Sequence, residues 1–512
     1  MTADPYAEAL WQGWREALAA QSAPPIDWLG ETMSADDLVA RVEEALHRLQ
    51  ALVADAQPPV RVGVLAADGL AHLLESLALV FAGVSQAVLP EGSPPAERQA
   101  LAQRYGLTHL LVDPEQLPPW PGLRRLGRSR EGLLLVALPP AAGGSGAPNA
   151  PGDLRELEES ADAAEGSIAL LSTSSGTSSG RPTLVPVRLG ALLSAQRRLD
   201  PSPYDHLPRQ LVNSSLQLSG PRLWKLWTLL RGDALVVRAT DAPWGPDTFR
   251  GDPCGGAMPP SQLRRRLAAG DLAQVPEGFL VITGGDHVPM ELRRALQAIP
   301  PLRVGITFAT SQSGPLTWLP PEELLAEPES VGRPLATVQL RPEGAVHLQR
   351  FGLAFREMRI RKTRRCLRPD GRGALVEGPA GGVRDFLSGD LLALAPSGHV
   401  IFGGRANDVF LFQGQMVSPY EIEDGLRDAP EVADCAGFGA PSATYGAVPM
   451  AAVVLREGVA DPAAVAERLR QRSRERMGHR SAKRIVVMDD LPRGPGGKPL
   501  RRLLAERHAL RL

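Results

Sequence analysis

Lysine is nearly missing from this chain. Of 56 basic residues in 512, only Lys225, Lys362, Lys483 and Lys498 are lysines, and the other 52 are arginines. The two cations are not chemically interchangeable. Each retained lysine is therefore singled out, against the ordinary reading of a solvated surface charge. Cysteine is scarce too: Cys254, Cys366 and Cys435 are far apart and show no metal-ligand spacing. An odd, sparse count suits a reducing cytoplasm. An excess of one charge is absent, since 57 acidic residues leave a net charge of -1. That argues against a general nucleic-acid or anionic-membrane role. No long uninterrupted apolar run is present. The most apolar stretch, "AHLLESLALVFAGVSQAVLP", carries Glu75 and a glycine turn, so it reads as helix, turn and strand rather than a membrane span. The start, "MTADPYAEALWQGW", lacks a basic-then-apolar signal pattern.

What remains is a globular composition, 43% hydrophobic and 22% charged, in a chain long enough for two or more domains. Ser34 opens "SADDLVARVEEALHRLQALV", where a capping residue, early acids and 3.6-period apolar positions predict a helix. The strand "VRVGVLAA" follows, then a helix over about 70–81, the strand "SQAVLP", the helix "AERQALAQRYG" and the strand "THLLVD". Such alternation predicts a parallel sheet covered by helices. It resumes after a Pro/Gly/Ala-rich loop, through "GDALVVRA", "GFLVITGGD", the helix "PMELRRALQAI" and "LRVGITFAT". Beyond Gly404 the pattern changes to three strands and three helices, a small α+β domain. The expected architecture is thus α/β, with a large N-terminal domain of helix-covered, mainly parallel sheets over 1–406 and a small mobile α+β domain over 407–512.

One stretch stands out: "STSSGTSSGRPTLVPV", Ser172 to Val187. A strand running into a Ser/Thr/Gly loop presents backbone N–H groups and hydroxyls together, a nest suited to phosphate oxygens. Such tracts are more often linkers. Here Arg181, Pro182 and the apolar "TLVPV" argue for a structured element.

Four later stretches accompany it: "TGGD" (283–286), "FATSQSG" (308–314), "FLSGDLLALAPSGHVIFGGRANDVFLFQGQMVSPYEIE" (386–423) and "LPRGPGGKPLRRLL" (491–504). In this order and spacing, the set resembles the adenylate-forming superfamily of acyl-CoA synthetases, luciferases and nonribosomal-peptide adenylation domains. The resemblance covers nearly the whole chain. It implies that Asp390 and Arg405 hold the ribose of ATP or AMP. Gly284, Gly285 and Asp286 then form the turn against adenine, where Phe308 stacks, with Ser311 and Gln312 beside the nucleotide. Ser174, Ser175, Gly176, Thr177, Ser178, Ser179 and Gly180 form the phosphate loop. Lys498 becomes the catalytic lysine of the adenylation step. Asn407 takes the hinge position, Gly414 borders the CoA tunnel, and Gln217, Trp224 and Gly305 line the acyl pocket, the tryptophan suggesting a bulky acid.

Departures from the family pattern cluster on phosphate and metal. "SGTSSGRPT" has one residue more than the usual Ser-Gly-Thr-Thr-Gly-x-Pro-Lys and places Thr183 at the lysine. Gln312 replaces the Glu that helps hold Mg²⁺, and an amide is the poorer ligand. Leu411 stands where Lys is usual, and Gln217 where His or an aromatic is common. The resemblance therefore implies an acyl-CoA ligase using ATP, CoA and Mg²⁺ at a weakened site, from specialised metabolism. It could be biased toward transferring the acyl group from an acyl-adenylate, itself made here or by a separate adenylating enzyme. The alternatives are a ligase that loads a carrier-protein thiol and a degenerate, non-catalytic AMP-binding protein.

Overall fold

The computed structural model describes residues 4–53, 59–139, 152–158, 165–173, 184–239, 242–327, 329–370, 374–377, 381–493 and 498–509. Two seven-stranded sheets dominate it. The first runs in the order Arg124–Arg128, Leu134–Ala137, His109–Val112, Arg61–Leu65, Ser85–Val88, Ile168–Thr173, Leu184–Arg188. Its four central strands are parallel, and the outer ones antiparallel. The second runs Leu302–Thr307, Phe279–Gly284, Gly255–Met258, Arg209–Val212, Ala234–Val237, Ile26–Trp28, Glu31–Met33, with only the last strand antiparallel.

The local reason is plain in the sequence. Every residue of "RVGVL", 61–65, is buried, as a strand covered on both faces must be. The helix Leu70–Phe81 is apolar nearly all round and is buried from His72 to Phe81. One apolar core takes Val62 and Val64 from the first sheet, Val212, Leu235 and Ile282 from the second, and residues of the helices Leu70–Phe81 and Ser219–Leu230. Helix-covered, mainly parallel sheets are therefore what the chain builds.

A third sheet has no counterpart in the sequence reading. Its antiparallel strands are Val338–Arg350, Leu353–Arg364, Gly381–Leu394 and Val400–Arg405. These strands are rich in arginine, and register shifts break the period-two pattern at several points. Charge pairs across strands do part of the work of apolar pairs, as where Arg359 meets both Glu343 and Asp385.

In the C-terminal portion the three expected strands and three helices are present, joined by a hairpin, Phe410–Phe412 with Gln415–Val417, that the sequence does not show. Val432–Ser442 pairs antiparallel with Gly446–Leu455, which pairs parallel with Arg484–Met488. The helices are Pro419–Leu426, Pro462–Met477 and Arg501–Arg507; the last starts three residues later than "KPLRRLL" suggests. Asp461 caps the second, its Oδ1 accepting from Ala464 N at 2.9 Å. Two apolar clusters draw only on residues from 410 onward. Val409 and Met416 instead join Leu348, Phe355 and Ile401, at the seam with the large domain. Among the described residues, no helix is long and apolar enough to cross a membrane.

Gly437 is where backbone meets backbone in the small domain: a Cβ there would lie 2.3 Å from the Pro419 carbonyl oxygen. Gly437→Ala is expected to push the helix Pro419–Leu426 off its strand and cost about 1–3 kcal/mol, the usual range for overpacking. Denaturant unfolding followed by circular dichroism measures it.

Candidate active site

The third sheet positions the first two polar groups. Its last two strands pair so that Asp390 faces Arg405, whose Nε is 2.8 Å from Asp390 Oδ1. The turn before Asp390 is held from several sides. Ser388 Oγ accepts from Asp390 N at 3.1 Å, and Glu357 Oε1 accepts from Gly389 N at 2.9 Å. Gly389 has a φ of +67°, a conformation that favours glycine. Asp390 is only 3% exposed. Burial pushes its carboxyl up to about 6, although Arg405 and Lys498 both pull it down.

Lys498 comes from the small domain and acts electrostatically on Asp390 of the large one. Its residue surface is open to solvent. The protein around it and the Arg405 charge nevertheless lower its pKa, against the pull of Asp286 and Asp390. Asp286 follows the strand Phe279–Gly284. Gly284 is pressed on Thr307, with a Cβ position 2.2 Å from the Thr307 carbonyl, whereas Gly285, at φ +82°, faces open space. The negative charge of Asp286 acts on Lys498 and on Arg501 alike. Arg501 is fixed by Glu423 at 2.7 Å and lies over the Tyr420 ring, 4.5 Å from its centre. Lys498 therefore sits among charges from both domains, Asp286, Asp390 and Arg405 from the large one and Arg501 from the small one.

Phe308 is 9% exposed and packs with Leu392, two residues from Asp390 along its strand, and with Val400, which pairs with Leu394 on the neighbouring strand. It is thus as much core as open ring face. Directly after it, Ala309–Thr310 and Gly314–Pro315 form a short hairpin with Ser311 and Gln312 at its tip. Thr310 Oγ1 and Ser313 Oγ are 2.8 Å apart across it.

Sequence reasoning missed the residue that holds this hairpin. Lys362 Nζ donates to Ser313 O at 2.8 Å and to Pro315 O at 2.6 Å. Burial pushes its pKa down to about 8. The available signal was the rarity of lysine, and Lys225 obeys the same logic: it is 1% exposed and donates to Ser214 O at 2.5 Å.

The other expected site residues are distributed as follows. Ser174 to Gly180 lie outside the described residues; the strands on either side pair as far as Thr173 and Leu184. Asn407 lies in the turn directly after Arg405 with an ordinary negative φ, so the tolerance of asparagine for unusual angles is not used here. Gln413 and Gly414, at φ 48° and 80°, make the two-residue turn between Phe410–Phe412 and Gln415–Val417. No atom lies within 4 Å of the Cβ position of Gly414, so this tip points into open space.

The expected acyl-pocket residues need correction. Trp224 is 7% exposed and packs on Tyr204, with ring centres 5.5 Å apart; it is core, and the case for a bulky acid loses it. Gln217 is committed to the backbone, Nε2 donating to Ala66 O at 2.6 Å and Oε1 accepting from Glu91 N at 3.4 Å. At Gly305 a Cβ would lie 2.1 Å from the Trp318 indole, so that glycine accommodates a tryptophan. Trp227 approaches the hairpin, 3.7 Å from the Cβ position of Gly314.

Two large helix-covered sheets and a smaller C-terminal domain, with the charges of Asp390, Arg405, Asp286 and Lys498 grouped where they meet, define the architecture. The chain belongs to the AMP-binding enzyme family, within the adenylate-forming superfamily. The model of the AMP-binding enzyme matches residues 14–342, and that of the AMP-binding enzyme C-terminal domain matches residues 421–498. The acetyl-coenzyme A synthetase of Pyrobaculum aerophilum is 36% identical over 120 residues, 23% of this chain and 18% of that protein. The 2-succinylbenzoate–CoA ligase of Geobacillus kaustophilus is 28% identical over 265 residues, 50% of this chain and 52% of that protein. The chain thus spans about half or less of the length of these curated relatives. Among solved structures, the o-succinylbenzoate CoA synthetase of Bacillus subtilis with its acyl-adenylate intermediate aligns at a TM-score of 0.71 and 18% identity, over 98% of this chain and 99% of that one. This likeness shows the fold.

Lys362→Met is expected to leave two buried carbonyl groups without a donor. At about 1–3 kcal/mol for unsatisfied buried groups, the loss should appear in denaturant unfolding and as faster hydrogen exchange at 309–315.

Proposed function

We propose that this protein is an acyl-CoA ligase working through an acyl-adenylate, with a slow adenylation half-reaction and an intact thioester-forming half. The observation that carries the reading is the Lys498–Asp390–Arg405–Asp286 constellation, with one member from the small domain and three from the large. The relatives' names, CoA synthetases and CoA ligases, support the acceptor.

In the first half-reaction a carboxylate oxygen attacks the α-phosphorus of ATP, forming a P–O bond while the bond to pyrophosphate breaks. Negative charge gathers on the phosphoryl oxygens. Lys498 meets that charge with a compact ammonium at a partly enclosed position, where such a contact is worth far more than in water. Asp390, when ionised, accepts from both ribose hydroxyls, and Arg405 orients it. Gly285 leaves backbone open toward adenine. In the second half-reaction a thiolate attacks the acyl carbon and AMP departs. No phosphorus is attacked, so Lys498 has no charge to meet.

The donors for Mg²⁺ do not match the metal. The hairpin tip offers the hydroxyls of Thr310, Ser311 and Ser313 and the amide of Gln312, all neutral, where a hard divalent cation takes carboxylates. No step is assigned to it. This neutral set, with the longer loop of 174–183, is why adenylation is placed as the slow half. A loss of about 4 kcal/mol would slow it roughly a thousandfold. The boundary between the moving parts is placed at Asn407, between Arg405 and the strand Phe410–Phe412.

Two assays run in parallel test the reading: thioester formation from ATP plus a panel of acids, and from preformed acyl-adenylates, each with CoA. Lys498→Ala is expected to lower the first at least a hundredfold and to leave the second within a few-fold. Equal loss in both would overturn the role of Lys498. Ordinary rates of acid-dependent ATP–pyrophosphate exchange in the unaltered protein would overturn the slow half. Absence of CoA thioester in both assays would overturn the ligase reading.

The acidity of Asp390 adds a pH dependence. A carboxyl raised to about 6 is protonated below that pH and can no longer accept from both hydroxyls. Adenosine, which carries no phosphate to titrate, is therefore expected to lose affinity as pH falls through about 6, approaching tenfold per unit. Asp390→Asn should bind weakly with a flat profile. Calorimetric titration between pH 5 and 8 measures both.

A further inference from the structure

The seam between the domains holds a second cluster of charge, remote from the Asp390–Arg405 pair in role but built across the same boundary. His287, directly after Asp286, lies with its Nε2 3.3 Å from Glu329 Oε2 and its Nδ1 3.7 Å from Asp424 Oδ1. Arg350 Nη1 lies 3.3 Å from the same Glu329 oxygen, while its Nη2 donates to Asp424 Oδ2 at 2.8 Å. Its Nε is 3.7 Å from Glu421 Oε1, which Arg480 also meets at 3.0 Å. His287, Glu329 and Arg350 belong to the large domain; Glu421 and Asp424 belong to the small one. A histidine and two carboxylates this close resemble a metal triad. The guanidinium between the two carboxylates already supplies the cation.

Two of the three large-domain members of this cluster, Arg350 and Glu329, are set by the backbone. Arg350 ends its strand at the two-residue turn Phe351–Gly352, with φ of +55° and +72°, and its guanidinium lies over the Phe351 ring, 4.6 Å from the centre. Glu329 holds a φ of +60°, a strained value for a residue with a side chain, and is 6% exposed. Strain of this kind persists only where the surroundings fix it, and here it aims a carboxylate between His287 and Arg350. The small-domain arm, Asp424, lies on the helix that also carries Glu421, Glu423 and Tyr420, and Glu423 and Tyr420 hold Arg501, three residues from Lys498.

We propose that Arg350 is a positioning residue for the adenylation step: by bridging Glu329 to Asp424 and Glu421, it holds the small domain in the pose that presents Lys498 to the Asp390–Arg405 pair. It touches neither nucleotide nor acid and acts through Lys498. The proposal rests on the adenylation role of Lys498 given above. A charged clasp suits this task. Its members regain water when the seam opens, so it holds the pose without making it permanent, unlike an apolar seam of equal size.

The experiment uses the full chain with Arg350→Ala, Asp424→Asn and the exchanged pair Arg350→Asp with Asp424→Arg. The pose is read without any acid, by hydrogen–deuterium exchange at 284–288 and 419–427 in the presence of AMP. Arg350→Ala and Asp424→Asn are each expected to raise exchange there at least threefold, with the strands 61–65 and 432–442 unchanged. With any acid that the unaltered protein activates, ATP–pyrophosphate exchange should fall tenfold or more in kcat with the KM for ATP within twofold. Thioester formation from the preformed acyl-adenylate should stay at or above the unaltered rate. The exchanged pair should recover at least a third of the pyrophosphate exchange and the protection. Unchanged exchange at both segments would overturn the proposal, as would equal loss of both half-reactions, or a failure of the exchanged pair to recover either quantity. If no acid is activated, the adenylation half of the reading fails, while the exchange data still decide whether Arg350 holds the pose.

Discussion

Charge cannot leave water without a partner, and this protein takes many charges out of water where its two domains meet. Asp390 meets Arg405, Glu423 meets Arg427 and Arg501, and Glu329 and Asp424 share Arg350. A carboxylate pair brought together at such a seam would repel, so each acid is interleaved with a guanidinium. Apart from the apolar contact of Val409 and Met416 with Leu348, Phe355 and Ile401, the seam is therefore ionic where the interior of each domain is apolar. Apolar surface, once joined, is costly to part because water must wet it again. Ion pairs that open toward solvent lose little, since water replaces the partner. The contrast sets an ionic boundary between two apolar interiors.

The same constraint accounts for the choice of arginine. A planar fork can bridge two carboxylates at once, as Arg350 does, and stack on a ring, as Arg501 does on Tyr420. It also keeps its charge when buried, so the seam stays charged over the range of pH at which an enzyme works. Lysine is left for places that need a small ammonium head: under the Ser313–Pro315 hairpin, beneath Ser214, and among the charges around Asp390.

Much of the fold was readable because its signals are local. Buried strands such as 61–65 and the helix over 70–81 announce themselves by runs of apolar residues, and the small domain by capped, periodic helices. The long antiparallel sheet was not readable. Its strands alternate arginine with apolar residues out of step, because bulges shift the register and cross-strand ion pairs stand in for packing. For the candidate site, Asp390, Arg405 and Lys498 were implied by the resemblance their motifs carry; in the structure Arg405 pairs with Asp390 and the charge of Lys498 acts on it. Asp286 was named for its backbone, yet its charge also acts on Lys498. Glu357, Lys362, His287 and Arg350 act through partners tens to more than a hundred residues away, and no window of sequence contains such a pairing. Trp224 and Gln217 show the converse: residues of the right type in the right motif, turned to the core and to backbone atoms by neighbours that the motif does not include.

The shortage of lysine has a practical side. Lys225 is 1% exposed, and Lys362 spends its ammonium on two carbonyl oxygens. The two lysines that remain, Lys483 and Lys498, are both in the small domain. An amine-directed reagent added to the folded protein therefore has almost no lysine target in the large domain. Covalent labelling of lysines becomes a report on the small domain alone, and on how far its edge bearing Lys498 is covered. In a protein with lysine scattered at ordinary frequency that report would be lost among dozens of other sites.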